Sequence, residues 1–179
     1  MSLYRRAFIA ALLLACCLPV AAQPRLERDG ISIALADITP HMDSQFPWQR
    51  EVMPGVASVQ LDRPQLALPG NWAQLAVDIA VTTLGRQAAL GRATLESGLR
   101  LDAATAAIYL DAPRLVAFAQ PDGQPLTLDA SMAAMIDDVL ASYARQQPVY
   151  TLPAEMAPMA SRVQAIVIED GRLHARMAR

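Results

Sequence analysis

The chain has 179 residues, 54% of them hydrophobic, with 15 basic against 17 acidic residues and a formal net charge of −2. That length suits one domain with a full hydrophobic core. A mildly acidic balance without a basic run argues against nucleic acid or an anionic lipid surface as partner.

The N-terminal 22 residues read as a processing signal and stand outside the fold. Arg5 and Arg6 precede twelve apolar residues, Ala7 to Leu18. A membrane-spanning helix needs about 20, so this run has the length of a signal core and not of an anchor. Arg5-Arg6-Ala7-Phe8 hints at a twin-arginine signal, but Tyr4 stands where Ser or Thr is expected. Two processing sites overlap here. Leu13-Leu14-Ala15-Cys16 is a lipobox that would leave a lipidated Cys16 as the first residue, with 1–15 removed. Pro19-Val20-Ala21-Ala22 is an ordinary cleavage site that would release 23–179 as a free domain. Removing 22 residues from 179 leaves 157, and taking Arg5 and Arg6 from the basic residues leaves 13 against 17 acidic, a charge of −4. Both cysteines, Cys16 and Cys17, precede the second cut, so that product has no disulfide although it goes to an oxidising compartment.

In the domain itself, Ile31-Ser32-Ile33-Ala34-Leu35 alternates as a strand. Thr39-Pro40 then predicts an N-cap and first helical position for a short helix through Phe46. From Val56 the period is two, with Ala57, Val59 and Leu61 on one face and Ser58, Gln60 and Asp62 on the other. Leu75, Val77, Ile79 and Val81 line one face of the clearest strand. Gly85 and Gly91 flank Arg86-Gln87-Ala88-Ala89-Leu90, which reads as a turn. Ala93 to Leu101 follows as a strand, then Ala106 to Leu110, resuming after Pro113 to Phe118. One buried and one solvated face with short connections predicts antiparallel sheet. Ala119 to Pro125 reads as a loop.

The period then changes to 3.6. Met132, Met135, Ile136, Val139, Leu140 and Tyr143 fall on one stripe of an amphipathic helix from Asp129 to Gln147, ended by Pro148. Val163 to Ile168, a turn at Glu169-Asp170-Gly171, and Leu173 to Met177 predict a closing hairpin. The order of elements is α+β, with one long amphipathic helix on an antiparallel sheet and a short N-terminal helix.

No motif for catalysis stands out. His174 lies between Arg172 and Arg176 on a polar strand face, and His41 is two residues from Asp43, not at helical contact spacing. Two distant histidines without a further cysteine make no zinc site. There is no G-x-S-x-G, G-x-G-x-x-G or Walker loop. Asp137-Asp138 reads as a solvated helix face. The expectation is a non-enzymatic protein without cofactor or metal. The apolar inventory is more distinctive. Seven methionines follow the initiator: Met42, Met53, Met132, Met135, Met156, Met159 and Met177. Met suits surfaces that accept a variable apolar partner, as well as ordinary cores.

Met53-Pro54-Gly55-Val56-Ala57, the strand meander to Phe118, and Gln146-Gln147-Pro148-Val149-Tyr150-Thr151-Leu152 after the helix resemble the YceB-type bacterial lipoproteins, a family defined largely as a domain of unknown function. The resemblance spans roughly Ile31 to Met177. It implies a strongly curved antiparallel sheet wrapped around the long helix, similar to the tubular lipid-binding proteins. It also implies envelope localisation, periplasmic or tethered to the outer membrane through a lipidated Cys16. No catalytic residues carry over. Together with the methionine stripe, it points to a lipid or other apolar ligand held between Met132, Met135, Ile136, Val139, Leu140 and Tyr143 on the helix and Leu75, Val77, Ile79 and Val81 on the sheet. The alternative is an assembly module that binds another envelope protein without a small ligand, with Trp48, Trp72 and Tyr150 as aromatic anchors.

Overall fold

A computed structural model describes residues 24–177. Cys16, Cys17 and both processing sites lie outside the described residues. In chain order the elements are β1 (Arg25–Glu27), β2 (Gly30–Ala34), α1 (Leu35–Asp43), β3 (Trp48–Met53), β4 (Ala57–Ala67), β5 (Ala73–Thr83), β6 (Arg86–Asp102) and β7 (Ala107–Ala119). Then come α2 (Ala130–Gln146), β8 (Tyr150–Thr151), a 3-10 turn (Ala157–Arg162), β9 (Val163–Glu169) and β10 (Arg172–Met177). Strands β3 to β8 form a six-stranded sheet in chain order. β1, β2, β10 and β9 form a second sheet of four.

The six-stranded sheet is a meander because each strand alternates. Ala73, Leu75, Val77 and Ile79 of β5 are buried, with Ala93 and Leu95 of β6 beside Val77 and Leu75. Cross-strand partners share a face, so this face is apolar across several strands and faces the core. The hairpin turns follow local chemistry. Leu84-Gly85 and Asp170-Gly171 both take positive φ, at 49° and 78° and at 51° and 68°, the arrangement of the two-residue turns that match strand twist. α2 starts where Asp129 accepts the Met132 N–H at 2.9 Å and ends before Pro148, which cannot continue a helix.

The expected α+β fold, with a curved sheet wrapped around or packed on one long helix, is overturned. Strands occupy 53% of the described residues and helices 21%, in two antiparallel sheets. With 17 residues, α2 spans about 25 Å. β6 also has 17 residues but runs about 56 Å at strand rise, more than twice the length of the helix, which packs on β7. Two features hid this. Arg86 to Leu90, read as a turn, is strand. The chain ends, whose pairing leaves no local signal, build a whole second sheet by placing Ile33 opposite Leu173.

The short helix also differs. It begins at Leu35, where the Asp37 carboxylate accepts the Ala34 N–H at 2.7 Å. Thr39 does not cap it; its hydroxyl donates to the Leu35 carbonyl at 3.0 Å. Pro40 sits inside the helix, leaving the Ala36 carbonyl without its usual donor.

The two sheets share one continuous core. Leu99 to Leu101 of β6 lie beside Val163 to Ile166 of β9, so the four-stranded sheet covers the end of the larger sheet where β6 turns into β7. α1 packs on β2, β4 and β8. α2 packs on β7 and reaches β3 through an Arg50–Asp138 ion pair at 2.9 Å and an edge-on Trp48–Tyr143 contact at 5.6 Å between ring centroids.

Candidate functional site

The ten residues expected to line a groove are split by the structure. Ile136, Val139, Leu140 and Tyr143 of α2 and Leu75, Val77 and Ile79 of β5 are buried members of the core. Met132 and Val81 are partly buried against it, and Met135 is 37% exposed. The helix stripe therefore divides along its length, with its C-terminal half sealed and its N-terminal half opening to solvent.

Val81 leads to a surface feature at the opposite end from the second sheet. β7 ends at Ala119, opposite Arg92. Gly91 takes φ +146°, and a side chain there would run into the Ala119 carbonyl and the Phe118 ring, so only glycine lets β6 pass the end of β7 here. Beyond it the β5–β6 hairpin projects without β7 beside it. Val81 pairs with Ala88 and Thr83 with Arg86, so all four share the face that carries Leu75, Val77 and Ile79 further in. Leu90, the extra residue at a bulge opposite Ile79 and Ala80, joins them. With Leu84 these residues line an open concavity of about 710 Å³. Its walls are apolar apart from Thr83 and the Arg86 side chain.

The tip is unusually apolar. Leu84 is 77% exposed, Met53 54% and Val56 40%, and the Leu84 N–H donates to the Val56 carbonyl at 3.0 Å, joining the two hairpin tips. Leu84 also adopts a left-handed conformation that costs a branched residue on the order of 1 kcal/mol. Asn would suit that turn position better. An exposed Leu in a disfavoured backbone conformation points to a role outside folding.

Sequence reasoning missed this site because Arg86-Gln87-Ala88-Ala89-Leu90 has weak β-propensity. One signal was present. Arg86, Ala88 and Leu90 alternate with Gln87 and Ala89 directly after a residue–Gly turn.

The other candidates fall elsewhere. Asp43 is exposed and His41 faces Tyr150, with ring centroids 5.9 Å apart. Burial lowers the His41 pKa. The Tyr150 phenol is pushed up by burial and then by the Asp37 carboxylate, and burial raises Tyr143 strongly. Asp37 Oδ1, His41 Nε2, Gln45 Oε1 and the Tyr143 hydroxyl are buried without a hydrogen-bond partner among the described residues. Asp137 and Asp138 are both exposed, as a solvated helix face, and Asp138 also pairs with Arg50. His174 lies 3.8 Å from the Glu27 carboxylate at a charged hollow on the four-stranded sheet. Trp48 and Tyr150 are buried singly, and Trp72 is 40% exposed beside Gly70. Among the described residues no three His, Cys, Asp or Glu side chains gather as for a metal, and no helix is long and apolar enough to cross a membrane.

A family model of proteins of unknown function, DUF1439, matches residues 33–172. The chain belongs to that family. The matched span begins inside β2 and ends at the first residue of β10, so it includes the whole six-stranded sheet with its projecting hairpin, both helices and β9, and leaves β1 and most of β2 and β10 outside. A search of the curated proteins gives no match.

Proposed function

We propose that this DUF1439 domain is a non-enzymatic binding protein that takes a lipid or other apolar chain at the open end of its six-stranded sheet. The observation that carries the reading is the continuation of the core-facing surface of β5 and β6 past the core. Val81, Ala88 and Leu90 line a concavity of about 710 Å³ that Leu84 borders. The concavity is open to solvent, with Val81 and Leu90 half-buried and Thr83, Leu84, Arg86 and Ala88 exposed, so a chain lying in it keeps one side in water. The proposed site keeps Val81 from the expected groove and moves the rest outward, because Ile136, Val139 and Leu140 are packed against other core residues.

The test is titration of the full chain with decan-1-ol, a monomeric alkyl chain, followed by calorimetry. Saturable binding that weakens about tenfold in Leu84→Asn supports the reading. Absence of saturable binding overturns it and leaves the exposed tip to an envelope protein partner.

Within the family we place the chain among the YceB-type envelope lipoproteins, exported and tethered through Cys16. The support is Leu13-Leu14-Ala15-Cys16 following Arg5-Arg6 and an apolar run, together with the Gln146-Gln147-Pro148-Val149-Tyr150 stretch that begins at the last residue of α2. Two or more acyl chains would hold it stably, since one alone is marginal. The intact mass of the protein from its native envelope tests this. A chain beginning at acylated Cys16 supports the tether, and a chain beginning at free Gln23 overturns it.

A further inference from the structure

We infer that the occupant of the open end is a monomeric single-chain amphiphile with one negatively charged head group, the head held by Arg86 and the chain lying along Val81, Ala88 and Leu90. This rests on the reading of that end as an apolar-ligand site.

The polarity of the concavity is graded. Leu90 and Val81 lie beside the core, next to Gly91 and Ile79, while Thr83 and Arg86 face each other across the hairpin near its tip. The strand between Leu90 and Arg86 covers about 13 Å. An occupant that fits this order has its apolar part inward and a polar group at the outer rim. Arg86 is the sole charged residue of the lining, so the polar group it suits is an anion. Among the described residues Arg86 has no carboxylate partner, a state it shares with several other surface arginines; what sets it apart is its place at the rim of the apolar concavity. A guanidinium beside a hydroxyl supplies several donors in a planar fork and suits a carboxylate or a phosphate ester. One cation serves one head group. A bilayer of anionic lipid presents many, and the net charge of −2 opposes approach to such a surface.

The experiment compares decanoate with decan-1-ol on the full chain at pH 7.5, both below their aggregation limits, for the wild type and for Arg86→Gln and Arg86→Lys. The same proteins are sedimented with phosphatidylglycerol vesicles. Decanoate is expected to bind about tenfold more tightly than the alcohol and to weaken as salt rises. Arg86→Gln is expected to bring decanoate to the level of the alcohol without changing alcohol binding, and Arg86→Lys to keep most of the preference. Equal binding of the two chains in the wild type overturns the anionic head while leaving the apolar site standing. Failure of both chains to bind overturns the apolar-ligand reading itself. Arg86-dependent sedimentation with vesicles, without decanoate binding, overturns the monomeric amphiphile in favour of a membrane surface.

Discussion

The two ends of the six-stranded sheet are built from similar strands and finished differently. Where β6 turns into β7, the four-stranded sheet lies over Leu99 to Leu101, and Leu173 and Ala175 are buried in the joint core. Where β5 turns into β6, the strands outrun β7 and the same face ends in Val81, Ala88, Leu90 and the exposed Leu84. Apolar surface at the first end stabilises the fold because it is removed from water. At the second it contributes little to folding, and under the proposed function it is the surface on which the apolar ligand lies. An apolar residue thus carries a different meaning at each end, although the local sequence pattern is the same.

Substitutions that separate folding from binding test this contrast. The largest effect belongs to the covered end. Leu173 is fully buried, so Leu173→Ala is expected to destabilise by about 3 kcal/mol, read as a lower urea midpoint at unchanged slope. A loss below about 1 kcal/mol would show that the second sheet is only loosely attached. At the open end the sign reverses. Leu84→Asn removes an exposed apolar side chain from a left-handed position that Asn tolerates, and stability should rise by about 0.5–1 kcal/mol while alkyl-chain binding falls. A variant that unfolds more readily than wild type would sink the view that Leu84 is kept for binding.

A smaller change is expected between the two ends. The Arg50–Asp138 pair links β3 to α2, but its side chains are 33% and 64% exposed. Arg50→Ala should therefore cost no more than about 1 kcal/mol, and less at high salt. A salt-independent loss of several times that size would mark the pair as a structural clamp.

The smallest effect concerns pH. His41 has its pKa lowered by burial, so the unfolded chain binds this proton more readily than the folded one. Stability is fully present above the ordinary histidine value of about 6.5 and falls as pH drops from there through the lowered folded pKa. Thermal midpoints measured across that window should decline for wild type and decline less for His41→Gln. Parallel curves would remove His41 as a source of acid sensitivity.

Much of the architecture was legible from local pattern. The β5 alternation placed Leu75, Val77 and Ile79 inward, and the 3.6-residue period located α2 to within one residue at each end. Asp170-Gly171 marked the last turn. Each of these depends on interactions within a few residues. The same pattern could not say that Met135 would be exposed while Val139 was buried, since both lie on one helical stripe and differ only in what stands opposite. It mistook Thr39-Pro40 for a helix start, because a proline suits a first turn and the competing cap at Asp37 carries no stronger signal. Trp48 and Tyr150 looked like surface anchors and are core residues, because α2 and α1 cover them.

The sequence by itself determined which strands alternate, which helix is amphipathic, and that one side of the meander is apolar, since these follow from the geometry of a single strand or helix turn. Only the tertiary structure decided that residues 30–34 and 172–177 pair into a second sheet, that this sheet covers one end of the first, and that β7 stops short of the β5–β6 tip at the other. Pairing between distant segments is set by loop closure and by the summed burial of surfaces far apart in the chain, and neither is written in any local window.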